Sequence, residues 1–351
     1  RWPRSTPCAM RWPSHEGMVV RNLARAAIPA DLHANVNVAR HRPGARVEHG
    51  RDGRAPAQRR TVCLALVGRW QTAGSAGTAA ALARRLHPER IDLVITEIRE
   101  ETSSTRTFRL RPAPGAQTEL PVFRAGQYLS LKVPIGDSWI TRPYAISSAP
   151  YEAGGADGFY EIAIRRKEGG FLTGRIWESW RAGTQITASG PHGTFYYEPL
   201  RDSPEIVALA GGSGITPIRS MLREVAAGRL DARITLLYGT RRPDDIPFAT
   251  ELRELAARLP EKIKVAVVCS EPDEQWCGPT GFLTAACIRG HAGDHAGKTF
   301  FLCGPAEMYR FLDQELAALG IPRRRISREV FGEEAAIAAR PGFPLAAWEK
   351  S

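Results

Sequence analysis

Gly211-Gly212-Ser213-Gly214 stands between an apolar run and a run of helical period, and this junction most constrains the fold. The preceding segment, Glu205-Ile206-Val207-Ala208-Leu209-Ala210, reads as a buried parallel strand. Beyond the loop, Ile218, Met221, Leu222 and Val225 recur at helical spacing. Thr216 reads as the helix N-cap and Pro217 as its first residue. Glycines at such a turn let backbone amides approach an anion closely, and the helix N-terminus favours negative charge. Strand, glycine loop and helix together form the context of a dinucleotide pyrophosphate site. The spacing is Gly-x-Gly-x-x-Pro, and a plain strand-to-helix turn is the alternative.

Three further clusters precede or follow it. Arg142-Pro143-Tyr144-Ala145-Ile146-Ser147-Ser148 ends an alternating stretch. Arg142 and Tyr144 are two apart, so a strand projects both to one face. A guanidinium pairs with phosphate, and a tyrosine ring stacks on a flat heterocycle. Gly169-Gly170-Phe171-Leu172-Thr173 opens a helix carrying Ile176, Trp177 and Trp180, with first-turn amides suited to a second anion. Phe301-Leu302-Cys303-Gly304-Pro305 ends an apolar strand at the edge where open parallel sheets bind ligands. Singly, these admit plainer readings: a surface arginine beside a core tyrosine, an ordinary helix start, an inert buried cysteine.

In this order the four clusters resemble the ferredoxin–NADP reductase superfamily, over roughly residues 90–332. Arg142-Pro143-Tyr144-Ala145 is similar to the family's Arg-x-Tyr-Ser flavin motif, with Ala145 where the family places a serine near flavin N5. The resemblance implies FAD, rather than FMN, as the flavin. Arg142 would neutralise its phosphate, Tyr144 would pack on the isoalloxazine, and Ser147 is an alternative donor near N5. Gly170, Phe171, Leu172 and Thr173 would take its pyrophosphate. Gly211, Gly212, Gly214, Thr216 and Pro217 would hold the pyrophosphate of NADH or NADPH. Cys303, Gly304 and Pro305 would lie under the nicotinamide, Cys303 setting its distance. Glu329-Val330-Phe331-Gly332 resembles the closing strand, whose Phe331 would shield the flavin. Arg241 and Arg242, after the second strand of the dinucleotide half, can pair a 2′-phosphate or form a solvated charge pair. NADH and NADPH both stay open.

The implied activity is transfer of hydride from NAD(P)H to FAD, then of electrons to a ferredoxin-like iron–sulfur protein or domain. A flavin-free NAD(P)-dependent dehydrogenase and a non-enzymatic flavin- or nucleic-acid-binding protein are the competing classes. The net charge of +11 does not favour the last. Residues 1–90 carry 16 arginines, no lysine and five acids, whereas residues 91–351 hold 32 basic and 32 acidic groups. The basicity belongs to the leader, so nucleic acid is not an expected partner. No uncharged apolar run reaches membrane-span length. Cys8, Cys63, Cys269, Cys277, Cys287 and Cys303 match neither iron–sulfur nor zinc spacing, so no metal ligands are expected, and isolated cysteines point to a cytoplasmic protein.

The expected architecture is α+β in two domains: an antiparallel Greek-key β-barrel for flavin, then a doubly wound parallel α/β domain for the dinucleotide. The expected boundaries are a basic, disordered extension at 1–88, the barrel at 89–199, the nucleotide domain at 200–332 and a linker-like tail at 333–351. The extension reads either as a targeting segment or as dispensable, with an Ala-rich helix at 75–86. In the second domain, strands are expected near 205–210, 233–238, 263–268, 299–303 and 326–331. Helices are expected near 217–227, 248–258, 281–289 and 306–318. Gly190-Pro191-His192-Gly193 reads as a turn.

Overall fold

Alternation in the first half builds a six-stranded antiparallel sheet. The computed structural model describes residues 86–116, 119–135 and 138–330. Strands β1 (Ile91–Thr102), β2 (Thr105–Pro112), β3 (Tyr128–Ile135), β4 (Ser138–Ala145), β5 (Tyr160–Arg165) and β6 (Gln185–His192) are ordered β4-β3-β6-β1-β2-β5. The two edges meet through an antiparallel bridge between Ile146 and Ile162, which curls the sheet towards a barrel. Inward residues such as Leu93, Leu110, Leu131, Ile162 and Ile186 form one core. Each such side chain contributes about 1.5–3 kcal/mol on burial. Helix α1 (Phe171–Ser179) covers this core with Ile176, Leu172 and Trp177.

The second half alternates strand and helix. Strands β7 (Glu205–Gly211), β8 (Arg233–Thr240), β9 (Ile263–Cys269), β10 (Thr299–Gly304) and β11 (Ile326–Val330) form a wholly parallel sheet, ordered β11-β10-β7-β8-β9. Helices α2 (Ile215–Ala226), α3 (Ala249–Arg258), α4 (Ala285–Ala292) and α5 (Ala306–Ala318) connect them. The two-domain α+β fold is the expected one.

Three local details differ from expectation. Helix α2 starts at Ile215 with Gly214 as N-cap, so Thr216 is a first-turn residue and Pro217 the third. Proline is tolerated there because first-turn amides have no helical partner. Helix α4 starts at Ala285 instead of near 281, since the Thr284 side chain accepts from Cys287 N at 3.2 Å and fixes the cap. Gly190, Pro191 and His192 close β6 rather than forming a free turn. The extension at 1–85, the tail from 333 and Phe331 lie outside the described residues. No described helix is long and apolar enough to cross a membrane.

Candidate flavin and dinucleotide sites

The glycine loop is shaped by what lies against it. Gly212 has φ +53° and opens the short turn Gly212–Gly214. A Cβ on Gly214 would run into the Cys303 carbonyl, and one on Gly211 would press on Met308 and Pro305. Glycine is therefore what lets the end of β7 lie against the end of β10. The Thr216 hydroxyl donates to Ser213 O at 2.8 Å, and the buried Tyr238 hydroxyl donates to Gly212 O at 2.8 Å. Loop and Cys303-Gly304-Pro305 segment thus form one wall. A cavity of about 610 Å³ lies against it, with Gly211, Gly212 and Pro305 at one part and Arg241 and Glu271 at another. Amides at the start of α2 make this wall attractive to a pyrophosphate.

The barrel adds a cation that the sequence reading missed. Arg165, at the end of β5, lines the same cavity, and its Nη1 lies 3.2 Å from the Cβ position of Gly212. Asp245 pairs with Arg165 and accepts from Thr102 Oγ1 at 2.8 Å and Ser104 Oγ at 2.7 Å. A basic residue ending a strand was visible in the sequence. The loop it faces is set by tertiary packing.

On the barrel, Arg142 is exposed and donates to Thr141 O at 2.9 Å. Tyr144 packs on the barrel core with Leu172. Burial pushes its hydroxyl up to about 12, against the opposing charge of Arg142. Ala145 and Ser147 are buried, and the Ser147 hydroxyl oxygen is enclosed without a hydrogen-bond partner among the described residues. Helix α1 begins at Phe171 after Gly169, at φ +67°, and Gly170, and has no side-chain cap. A Cβ on Gly170 would fall 2.8 Å from both Lys167 Cβ and Thr173 Oγ1. Thr173 Oγ1 accepts from Lys167 N at 3.0 Å, so that hydroxyl shapes the loop. A cavity of about 840 Å³ beside this loop is lined by Gly169, Gly170, Arg166, Lys167 and Arg175. First-turn amides, a glycine cradle and three cations form a donor set suited to a pyrophosphate. Arg166, Lys167 and Arg175 were not singled out by the sequence.

The end of β10 holds a buried polar cluster. Cys303 pairs in register with Glu329 of β11. Burial first, and then the Glu329 charge, push the Cys303 thiol well up, while its bond with Tyr309 acts the other way. The Tyr309 hydroxyl receives Gly304 N–H at 3.1 Å and donates to Glu329 O. Burial raises the Glu329 carboxyl to about 7. Glu329 was quoted in the closing strand but not singled out, because nothing local signals that a strand-end glutamate sits half-buried beside a thiol.

Helix α2 ties the Arg142–Ser148 segment to the glycine loop. Arg219 Nη1 donates to Ser147 O at 3.0 Å and to Glu161 Oε2 at 2.9 Å, and Nε donates to Glu251 Oε2 at 2.7 Å. Ser220 Oγ donates to Ser148 O at 2.6 Å. Burial alone would raise Glu161, but Arg219, Arg99 and Arg109 hold it at about 2. The helix that begins at the dinucleotide loop is therefore fixed to the end of the Arg142–Ser148 segment.

Comparison with known proteins agrees with this geometry. Residues 92–197 match the oxidoreductase FAD-binding domain and residues 208–314 the oxidoreductase NAD-binding domain. The chain is 30% identical over 245 residues to the ferredoxin reductase component of 3-ketosteroid-9-alpha-monooxygenase from Mycolicibacterium smegmatis, covering 69% of this chain but only 65% of that protein. It is 33% identical over 218 residues to ferredoxin–NADP reductase B of Sorangium cellulosum, covering 59% of this chain and 85% of the relative. The solved flavohem-like FAD/NAD-binding domain of nitric oxide dioxygenase from Vibrio cholerae superposes with a TM-score of 0.60 at 25% identity, covering 69% of this chain and 99% of that one. Fold, paired sites and these likenesses agree: the chain belongs to the ferredoxin–NADP reductase superfamily, the NAD(P)H-dependent flavin reductases that join an FAD-binding barrel to an NAD-binding sheet.

Proposed function

We propose that this chain takes hydride from NAD(P)H onto FAD and passes the electrons on to a ferredoxin-like iron–sulfur protein or domain. One observation carries the reading: the segment bearing Arg142 and Tyr144 and the loop bearing Gly212 and Gly214 are joined through α2, by Arg219 on Ser147 O and Ser220 on Ser148 O. Cofactors held on two segments joined in this way would be positioned for transfer between them. The flavin, when bound, supplies the conversion of a two-electron donor's hydride into single electrons.

The protein's part is binding and orientation. In this reading Arg142 and the amides of Gly170 to Thr173 hold flavin phosphates, and Tyr144 packs on the ring. Gly211, Gly212, Gly214 and Thr216 shape the dinucleotide pyrophosphate site, with Arg165 added from the barrel. Cys303-Gly304-Pro305 supports the nicotinamide, and Phe331 covers the flavin. The two domains run over 89–199 and 200–332. The iron–sulfur acceptor is supported by the relatives' names as ferredoxin reductases. Among the described residues no group of three His, Cys, Asp or Glu side chains is placed to hold a metal. Cys269, Cys287 and Cys303 are free thiols among the described residues, and a cytoplasmic setting belongs to this reading.

The test is turnover of the FAD-loaded protein with NADH or NADPH, with ferricyanide and with a 2Fe–2S ferredoxin as acceptors. Reduction of both acceptors is expected. Ferricyanide reduction without any ferredoxin reduction would remove the iron–sulfur part of the reading.

A further inference from the structure

The cavity beside the glycine loop has a second end, where the carboxyl ends of β8 and β9 meet. Arg241, just past β8, carries its Nε 2.7 Å from Glu271 Oε1, just past β9. The two backbones are tied as well: Glu271 N–H donates to Arg241 O at 2.8 Å, and Ser270 N–H to Thr240 O at 3.0 Å. These backbone bonds keep the two residues side by side at the cavity mouth. Arg242 is also paired, its Nε 3.2 Å from Asp244 Oδ1. Both cations that follow β8 thus have acidic partners. Phe282 lines the same cavity, is 67% exposed, and lies 6.0 Å from Phe311.

These features fit the adenosine half of a dinucleotide whose pyrophosphate lies at Gly212. An exposed aromatic ring offers a stacking face to adenine. The ribose then falls at the strand ends, where a carboxylate commonly accepts from the 2′-hydroxyl. A 2′-phosphate brings close to two negative charges at neutral pH. To reach Arg241 it has to displace Glu271, and the displaced carboxylate remains next to it. A free 2′-hydroxyl meets no such cost and finds an acceptor. Resting on the reductase reading, we propose that Glu271, held by Arg241, selects the dinucleotide with a free 2′-hydroxyl, so that NADH is the electron donor and NADPH is rejected.

The FAD-loaded protein is titrated with ADP-ribose and with its 2′-phosphorylated analogue, neither of which can reduce flavin, and separately assayed with NADH and NADPH. Tighter binding of the unphosphorylated ligand is expected, by about tenfold or more, which corresponds to about 1.4 kcal/mol. The same order should hold for kcat/KM. Glu271→Gln should narrow the ratio by tightening the phosphorylated ligand, and Arg241→Met should not reverse it. Wild-type preference for the phosphorylated ligand, or a ratio unmoved by Glu271→Gln, would overturn the inference. Failure of both NADH and NADPH to reduce the flavin would instead overturn the proposed function, while the binding ratio would still decide the role of Glu271.

Discussion

Two arginine–glutamate pairs, one joining the dinucleotide half to the barrel and one within the dinucleotide half, live in opposite surroundings. Arg219 and Glu161, at the joint with the barrel, have side chains 4% and 1% exposed. Arg241 and Glu271, at the cavity mouth, are 73% and 53% exposed. The buried pair is part of a network: Glu161 also bonds Arg99 and Arg109, each at 2.9 Å, and Arg219 bonds Glu251. Charges sealed from water are costly unless every one is matched, so such a network tolerates little change. The exposed pair is solvated and screened, and contributes little to folding. The same chemistry is therefore locked into a network at the joint and left open to solvent at the mouth.

The largest expected effect tests this contrast directly. Arg219→Met should lower unfolding stability by about 3–5 kcal/mol, because it removes the buried partner of Glu161 Oε2 and takes the Arg219 donor from the Ser147 carbonyl. Arg241→Met should change it by less than about 1 kcal/mol. Urea unfolding of the two variants measures both, and equal losses would break the comparison.

Within the barrel, Arg142 is exposed like Arg241 but is assigned to a ligand. Arg142→Ala should weaken flavin binding by about 1.5–3 kcal/mol, read as flavin content at limiting FAD, with little change in apoprotein stability. Unchanged flavin content would make Arg142 an ordinary surface residue.

Glu329, beside Cys303 on β11, provides a pH test. Its folded pKa, raised to about 7 by burial, lies above the ordinary 4.5. The folded state then binds the proton more tightly than the unfolded state, so stability should fall as pH rises through that window. Glu329→Gln should remove this part of the slope. Unfolding midpoints at pH 5 and pH 8 for both proteins check it, and parallel profiles would show that Glu329 does not titrate there.

The smallest effect concerns Ala145. Ala145→Ser adds back the hydroxyl that the family's motif carries at this position, and stopped-flow reduction of the flavin should be modestly faster. An equal or slower rate would mean that the missing hydroxyl is immaterial in this chain.

What could be read from the sequence was local. The glycine loop, the Arg142–Ser148 segment and the strands at 205–211 and 299–304 announce themselves through period and composition within a few residues. Thr216 reads as a cap because threonine is favoured there, but Gly214, also a favoured cap residue, takes that position two residues earlier. Arg219, Arg165, Glu271 and Glu329 could not be singled out. Their meaning comes from partners such as Glu161, Asp245, Arg241 and Cys303, brought close only by the sheet order. Polar residues whose role is a long-range pairing carry no periodic signature.

In the proposed function, one chain holds flavin and dinucleotide in register for transfer. Anaerobic titration of the FAD-loaded protein with NADH, followed by its visible absorption spectrum, decides it. Loss of the oxidised-flavin bands at about one NADH per flavin, without any acceptor present, is the expected result for a two-electron donor. A spectrum that stays oxidised with NADH and with NADPH, in a preparation that retains its flavin, would contradict it.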